Sequence, residues 1–362
     1  MTVVDSPDAA VAAVAPAGKS SGGGGLGRYV VVRFLLIIPT VFILVTLVFL
    51  LMRTTGDPIT AAQGGRLPPE QLAERVHAAG YDRPLLVQYG EYLGRLLRGD
   101  FGTTISDNRP VTEVLVTYGT ATLELAVYAL LVAFVVGIPL GMVAAYLRDR
   151  LGDAVLRVFA ILCYATPVFF AGLLLKLVFA IKLGVLPVSG RASTSTELNL
   201  QLLPGRTGIY LLDALRLGDP AAVVDVVKHA VLPAVALGLL TAGIFLRLVR
   251  TNVIGTFGTE YVDAARSRGV SEYRLVRKHA YRPALIPIVT VIGLQIALLL
   301  GGAVLTETTF EWKGLGFQLA QYLTARDFVA VQGIVALLAV IVAVTNFVVD
   351  ILAALIDPRV RY

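Results

Sequence analysis

The chain is short of what soluble enzymes and secreted domains rely on. Its 362 residues include one cysteine, Cys163, and three scattered histidines, His77, His229 and His279. The lone cysteine excludes a disulfide framework, and together these counts exclude a Cys/His metal cluster. Only 15% of the residues are charged, against about 25% in an ordinary soluble domain. There is no G-x-x-x-x-G-K-S/T phosphate loop, so the chain does not bind ATP by that device, and no H-E-x-x-H zinc motif. A membrane-embedded enzyme would need an intramembrane catalytic constellation, and no nucleophile–base–orienter spacing supplies one. A proton pump's chain of buried acids is missing too, and so are the paired interrupted helices of many secondary transporters.

What is there is apolar: 56% of the chain is hydrophobic. The apolar residues come in blocks of about 20 or more, enough to cross a hydrocarbon core of roughly 30 Å. The expected class is an all-α membrane protein. Six spans are predicted: Tyr29–Met52, Tyr118–Tyr146, Val155–Lys182, Ala230–Val249, Leu285–Leu305 and about Phe328–Leu355. Pro39 is expected to kink the first, which has no cleavage pattern after it and reads as an uncleaved anchor. Ahead of it, residues 1–27 are rich in Ala, Pro, Gly and Ser and read as a disordered tail. The remaining divisions are a first transmembrane helix within 28–53, a sizeable polar region at 54–115, a core at 116–355 and a short tail at 356–362. Within the polar region, PPEQLAERVHAAGY and PLLVQYGEYLGRLLRG read as amphipathic helices, the first started by its prolines.

Lys and Arg in short connections set orientation. RDRLGDAVLR (148–157) carries three, and residues 247–282 carry eight against three acids. The loops at 53–115, 183–229 and 306–327 balance or favour acid. Both termini, residues 147–154 and residues 250–284 are therefore expected in the cytoplasm, and the 54–115 and 183–229 loops outside. The net charge of +6 fits basic cytoplasmic loops and membrane lipid before nucleic acid, which is not an expected partner.

Charges inside spans need a reason, because one at a helix centre costs about 2.5–3.5 kcal/mol. For Glu124, Lys182 and Asp350, near span ends, snorkelling or pairing suffices. Lys176 is deeper: it could face a water-filled path or reach an acid such as Glu124. Glu124, Lys176 and Gln295 are the candidates for a translocation path. Gly137, Gly141, Gly293 and the Gly301–Gly302 pair thin two spans, for close helix packing or for a flexible, pore-lining helix.

The most informative stretch is polar. TEYVDAARSRGVSEYRLVRKHAYRP (259–283) holds nine charges, six of them Lys or Arg. Thr259 suits a helix N-cap, Glu260 and Asp263 its first turn, and Arg266 and Arg268 its last. Gly269 suits the left-handed stop. That order predicts a helix over 260–268, about 13 Å long. Tyr261, Ala264, Ala265 and Arg268 share one face of it, a mostly small face that fits a groove. Ser271 is expected to cap a second, basic helix lying against headgroups. Topology alone accounts for the charge, but not for two capped helices and a small-residue face. Docking of a cytoplasmic partner accounts for both.

DAARSRG (263–269) resembles the EAA-x-x-x-G motif of ABC importer permeases, with Asp263 in place of the usual Glu. The continuation departs from the common Ile and Leu-Pro, with His279, Tyr281-Arg282 and Pro283 there instead, as in the dipeptide/oligopeptide branch. GDP (56–58), DRPLLVQYGEYLGRLLRGDFGTT (82–104), ATPVFFAGLLLKLVFAIKLGVLPVSG (165–190) and the run through ETTFEWKGLG (307–316) also resemble that branch, and the likeness covers about residues 28–362. It implies a type I ABC importer permease fold in a bacterial plasma membrane. It further implies a non-catalytic subunit with no cofactor of its own, ATP and Mg being held by two partner ATPase subunits or domains. A homologous second permease and an extracytoplasmic substrate-binding protein complete the set. Residues 260–269 (Glu260, Tyr261, Asp263, Ala264, Ala265, Arg266, Arg268 and Gly269 among them) would form the ATPase-coupling element. The implied cargo is dipeptide or oligopeptide, with nickel, glutathione or another small solute as alternatives. A stand-alone channel or secondary transporter is the alternative from another class.

Overall fold

The computed structural model describes residues 26–54, 56–65, 67–257, 259–275, 291, 295, 299 and 303–356. Most of the expected fifth span, the tail before residue 26 and the residues after 356 lie outside these. Among the described residues the chain is helical, with one isolated bridge, Thr103 to Pro110. Four helices are long and apolar enough to cross a membrane: Gly27–Thr54, Val111–Tyr146, Pro220–Phe257 and Phe328–Leu352. Leu151–Ala165 and Val168–Lys182 form a fifth candidate only as a pair, bent by 106°.

That bend breaks the expected 155–182 span into two arms in place of one straight helix. Thr166 is extended (φ −79°, ψ 125°) and Pro167 follows it. Proline lacks an N–H, and its ring pushes the preceding residue out of the helical region. Hydropathy does not register this, because Thr-Pro sits between two apolar runs. The second arm ends in a π-helical stretch, Lys176–Lys182. By contrast, Pro39, Pro139 and Pro233 sit inside helices that continue through them.

Val111–Tyr146 and Pro220–Phe257 have 36 and 38 residues. At 1.5 Å per residue they reach about 54 and 57 Å, well beyond a core of roughly 30 Å. The expected spans 118–146 and 230–249 caught only their apolar parts. Asp225, Lys228 and His229 lie early in the second helix, where hydropathy sees a loop.

These two helices form the centre of the core, and their glycines let the backbones meet. A Cβ on Gly137 would lie 2.7 Å from the Ala242 carbonyl oxygen, one on Gly141 2.7 Å from the Val249 Cβ, and one on Gly238 2.6 Å from the Ala129 carbonyl oxygen. Gly137 and Gly141 therefore serve close packing. Gly293 and Gly301–Gly302 lie outside the described residues. Between the 111–146 and 220–257 helices Phe134 stacks on Phe245, ring centroids 5.3 Å apart. At the periphery the 26–54 helix packs on the last helix, Phe328–Ile356, through Phe34 against Phe347 and an Arg33–Asp350 ion pair at 3.2 Å. Asp350 is thus paired, as its position near a span end suggested.

The connections gather at two ends. One end, here the loop end, joins residues 56–110, 183–219 and 306–327. It includes the two expected amphipathic helices, Pro69–Ala78 and Leu85–Leu97. Its buried Asp327 accepts from the Ile105 and Ser106 N–H groups (2.6 and 2.8 Å), the Ser106 hydroxyl (2.7 Å) and the Ala330 N–H (3.1 Å). One carboxylate therefore starts the last helix and anchors a loop more than 200 residues away. The other end, the coupling end, carries 147–150 and 259–275.

Candidate coupling helix and translocation path

The helix expected at 260–268, the candidate for coupling, is present as Glu260–Ser267, with Arg268 as its C-cap. Gly269 takes φ +78°. Its N–H donates to the Arg266 carbonyl at 2.9 Å, and the Val270 N–H donates to the Ala265 carbonyl at 3.3 Å. This pair of bonds is the Schellman stop, which needs a left-handed residue where glycine stands. Glu260 and Asp263 occupy the first turn, and Arg266 pairs with Asp263 at 2.6 Å.

Thr259 differs from expectation. Its backbone is extended as an N-cap requires, but its hydroxyl donates to the Thr256 carbonyl at 2.6 Å rather than accepting from the helix. A carbonyl three residues back competes with the first-turn N–H groups, a local choice open to Ser and Thr hydroxyls.

On the shared face, Tyr261, Ala264 and Arg268 are exposed and Ala265 is half-buried. The helix is mounted by residues that sequence reasoning missed: Val262 and Leu275 are fully buried. Tyr273 adds an edge-on contact with Tyr146 at the end of the 111–146 helix, 6.4 Å between centroids. Past Gly269 a short turn, Glu272–Arg274, begins with the Leu275 N–H donating to the Ser271 carbonyl at 2.9 Å. The rest of the expected basic helix lies outside the described residues.

A second device missed in the sequence clamps this end. Asp153, fully buried, takes a two-pronged bond from Arg250, Nε to Oδ1 at 2.6 Å and Nη2 to Oδ2 at 2.7 Å. It fixes the 151–165 helix to the 220–257 helix just before the coupling segment. Arg250 had been read only as a topogenic charge.

Of the path candidates, Glu124 is buried and fully engaged. It pairs with buried Arg191, and accepts from the Tyr128 hydroxyl (2.7 Å) and from the Tyr210 and Leu211 N–H groups (3.3 and 3.0 Å). Arg191 stacks over Tyr210, 3.6 Å from the ring centroid, and also donates to the Gly208 carbonyl at 2.9 Å. Lys176 and Glu124 do not pair. Lys176 Nζ donates to the Thr309 carbonyl at 2.9 Å and sits 5.8 Å from the Phe310 ring centroid. Gln295 is buried, with no partner for its Oε1 among the described residues. The three candidates therefore do not form one bonded cluster. Arg191 escaped sequence reasoning because it sits in an irregular loop, 67 residues from its partner.

The ETTFEWKGLG run folds back beside Glu124. Buried Glu307 accepts from the Thr122 hydroxyl (2.6 Å) and the Phe317 N–H (2.8 Å), while Thr122 in turn accepts from the Leu315 N–H (2.8 Å). Trp312, fully buried, donates from Nε1 to the Ala121 carbonyl at 2.9 Å. Burial outweighs these bonds and pushes the Glu307 carboxyl up to about 7.

Residues 137–362 match the family described as binding-protein-dependent transport system inner membrane component. The chain belongs to this family. The matched stretch contains the coupling helix, the Asp153–Arg250 clamp and the Glu307 fold-back. Among relatives, the chain is 39% identical to the di/tripeptide transport system permease protein DppB of Pseudomonas aeruginosa (strain UCBPP-PA14), over 91% of this chain and 97% of that one. It is 36% identical to the dipeptide transport system permease protein DppB of Escherichia coli K12, over 92% and 99%. It is 33% identical to the glutathione transport system permease protein GsiC of Salmonella choleraesuis, over 92% and 99%. In fold it resembles a chain of the inward-facing MetNI methionine ABC transporter. The TM-score is 0.50 at 17% identity, covering 68% of this chain and 98% of that one. The family member described here is thus a multi-pass inner-membrane permease subunit with the type I ABC permease fold.

Proposed function

We propose that this chain forms half of the pore of an ATP-driven importer for dipeptides or short oligopeptides. The observation that carries the coupling role is the Glu260–Ser267 helix: a small exposed face, two buried anchors and a hard stop at Gly269. Together they give a rigid knob that can enter a groove on a partner. The peptide assignment rests on the relatives' substrates. Glutathione, itself a tripeptide, is the second reading, favoured by the 33% identical relative.

In this reading the coupling end lies in the cytoplasm, and the knob sits on one of two ATPase subunits, which hold the ATP and Mg. A homologous permease supplies the other half of the pore, and a substrate-binding protein docks at the loop end, outside. Closing of the ATPase pair pushes the knob. Val262 and Leu275 pass the displacement to the spans on either side, and the pore turns from inward-facing to outward-facing. Lys176 and Gln295 face the path, while Glu124 braces its outer mouth. The chain itself performs no covalent chemistry.

The test is to purify the chain with its partners and measure ATP hydrolysis with dipeptide, glutathione or a nickel chelate loaded on the binding protein. Stimulation by dipeptide is expected. Isolation without an ATPase, or hydrolysis indifferent to every loaded ligand, overturns the proposal.

A further inference from the structure

A cavity of about 30 Å³ lies at the loop end, where the 26–54 helix, the Leu85–Leu97 helix and the last helix meet. Arg53, Tyr92, Arg95, Asp100 and Gln332 line it. Gly102, at φ +85°, brings the adjoining loop so close that a Cβ there would lie 2.9 Å from Val329 Cγ1. The volume exceeds the roughly 10–15 Å³ that one water needs but leaves no room for a phosphate or a peptide.

Its buried polar atoms that lack a partner can all donate. Arg53 Nε and Nη1, Tyr92 Oη and Gln332 Nε2 are all buried and have no hydrogen-bond partner among the described residues, although Gln332 is only 5% exposed. The Arg and Gln nitrogens can only donate, and the Tyr hydroxyl can donate as well. The Arg53 guanidinium lies 5.1 Å from the Phe49 ring centroid and 4.6 Å from that of Tyr81. Among the described residues no ion pair is recorded for Arg53 or Arg95. The lining carboxylate, Asp100, spends its Oδ1 on the Gly102 N–H at 2.9 Å.

A water could accept two of these donors and would then carry two hydrogens into a site rich in donors. A monatomic anion accepts from all of them and offsets the excess of two arginines over one aspartate. We infer that this cavity is a binding site for a single halide-sized anion, chloride under ordinary conditions. Bound there, it joins three elements that share few direct bonds, and so ties the extracytoplasmic helices to the first and last spans.

The test uses the purified importer in lipid nanodiscs, compared in sodium chloride, sodium bromide and sodium gluconate at equal ionic strength. A saturable rise in unfolding midpoint of about 2 °C in either halide over gluconate is expected, and it should vanish in Gln332→Leu. Crystals grown in bromide should show one anomalous peak in the cavity. This second measurement needs no substitution, so it decides the matter even if Gln332→Leu fails to assemble. A midpoint that ignores halide, a halide effect undiminished in Gln332→Leu, or a cavity without anomalous signal overturns the inference and leaves the site to water.

Discussion

The two ends of the molecule are held by different means. At the loop end, buried acids do the joining: Glu124, Glu307 and Asp327 each take several donors, from other segments as well as from nearby residues. At the coupling end one buried acid, Asp153, fixes two helices, and among the described residues the knob beyond it is mounted chiefly through buried Val262 and Leu275 and the Tyr273–Tyr146 contact. Multiply bonded buried carboxylates resist rearrangement, because freeing any one leaves several groups unpaired. Apolar anchors let a small helix tilt without breaking a bond. Under the proposed function, the difference suits a subunit that keeps its outer mouth in shape while its inner surface transmits a push.

The largest expected effect comes from breaking the braced end. Glu124→Ala leaves the Arg191 guanidinium buried and uncompensated, a loss of about 3–5 kcal/mol. The chain should fall sharply in abundance and in detergent unfolding midpoint, while Glu124→Gln, which still accepts hydrogen bonds, falls less. Size-exclusion profiles of tagged protein in detergent would check this; normal amounts of Glu124→Ala would show that the brace is dispensable.

Next comes the pH dependence of the same end. Glu307 rises from an ordinary 4.5 to about 7 in the fold. Between those values the folded chain holds more protons than the unfolded one. The stability that Glu307 contributes is therefore fully present below 4.5 and is lost as pH rises through 7. Glu307→Gln should flatten that decline in unfolding midpoints taken from pH 5 to pH 8.

At the coupling end, Asp153→Ala removes a two-pronged charged bond to a partly exposed Arg250, an expected cost of about 2 kcal/mol. Thermal melts should place it between Glu124→Ala and wild type. A larger loss than Glu124→Ala would reverse the ranking of the two ends. The smallest effect on assembly is that of Lys176→Met, which loses one bond to a carbonyl, about 1 kcal/mol. Assembly should hold while the import rate changes; an unchanged rate removes Lys176 from the path.

How much of this was legible in the sequence follows the range of each interaction. Gly269 was legible because a left-handed stop is a property of one residue and its neighbours. The acids and bases of the 260–267 helix were legible for the same reason. The hydroxyl of Thr259 was not, since two local acceptor and donor choices differ little in energy. Spans were visible where hydropathy and helix coincide, and mistaken where they part, as at Thr166–Pro167 and in the polar first turns of 220–257. The braces at Glu124, Glu307 and Asp327 were invisible: their distant partners lie 67 to 222 residues away, Arg191, Ile105 and Ser106 in loops without periodic pattern and Thr122 inside an apolar helix. Glu124 was singled out because a charge in a span demands a partner, yet nothing in the sequence named Arg191.

The central claim is that a rigid, stopped helix at 260–267 carries the push. It is tested most directly by import of labelled dipeptide into proteoliposomes holding the assembled transporter with Gly269→Val or Gly269→Asn. Among the described residues no heavy atom lies within 4 Å of a Cβ at this position, so backbone strain is what distinguishes the two. Valine resists the left-handed conformation by about 1–2 kcal/mol, whereas asparagine tolerates it. At equal amounts of assembled chain, the valine variant should import about tenfold more slowly and the asparagine variant near the wild-type rate. Wild-type import by Gly269→Val would contradict the account.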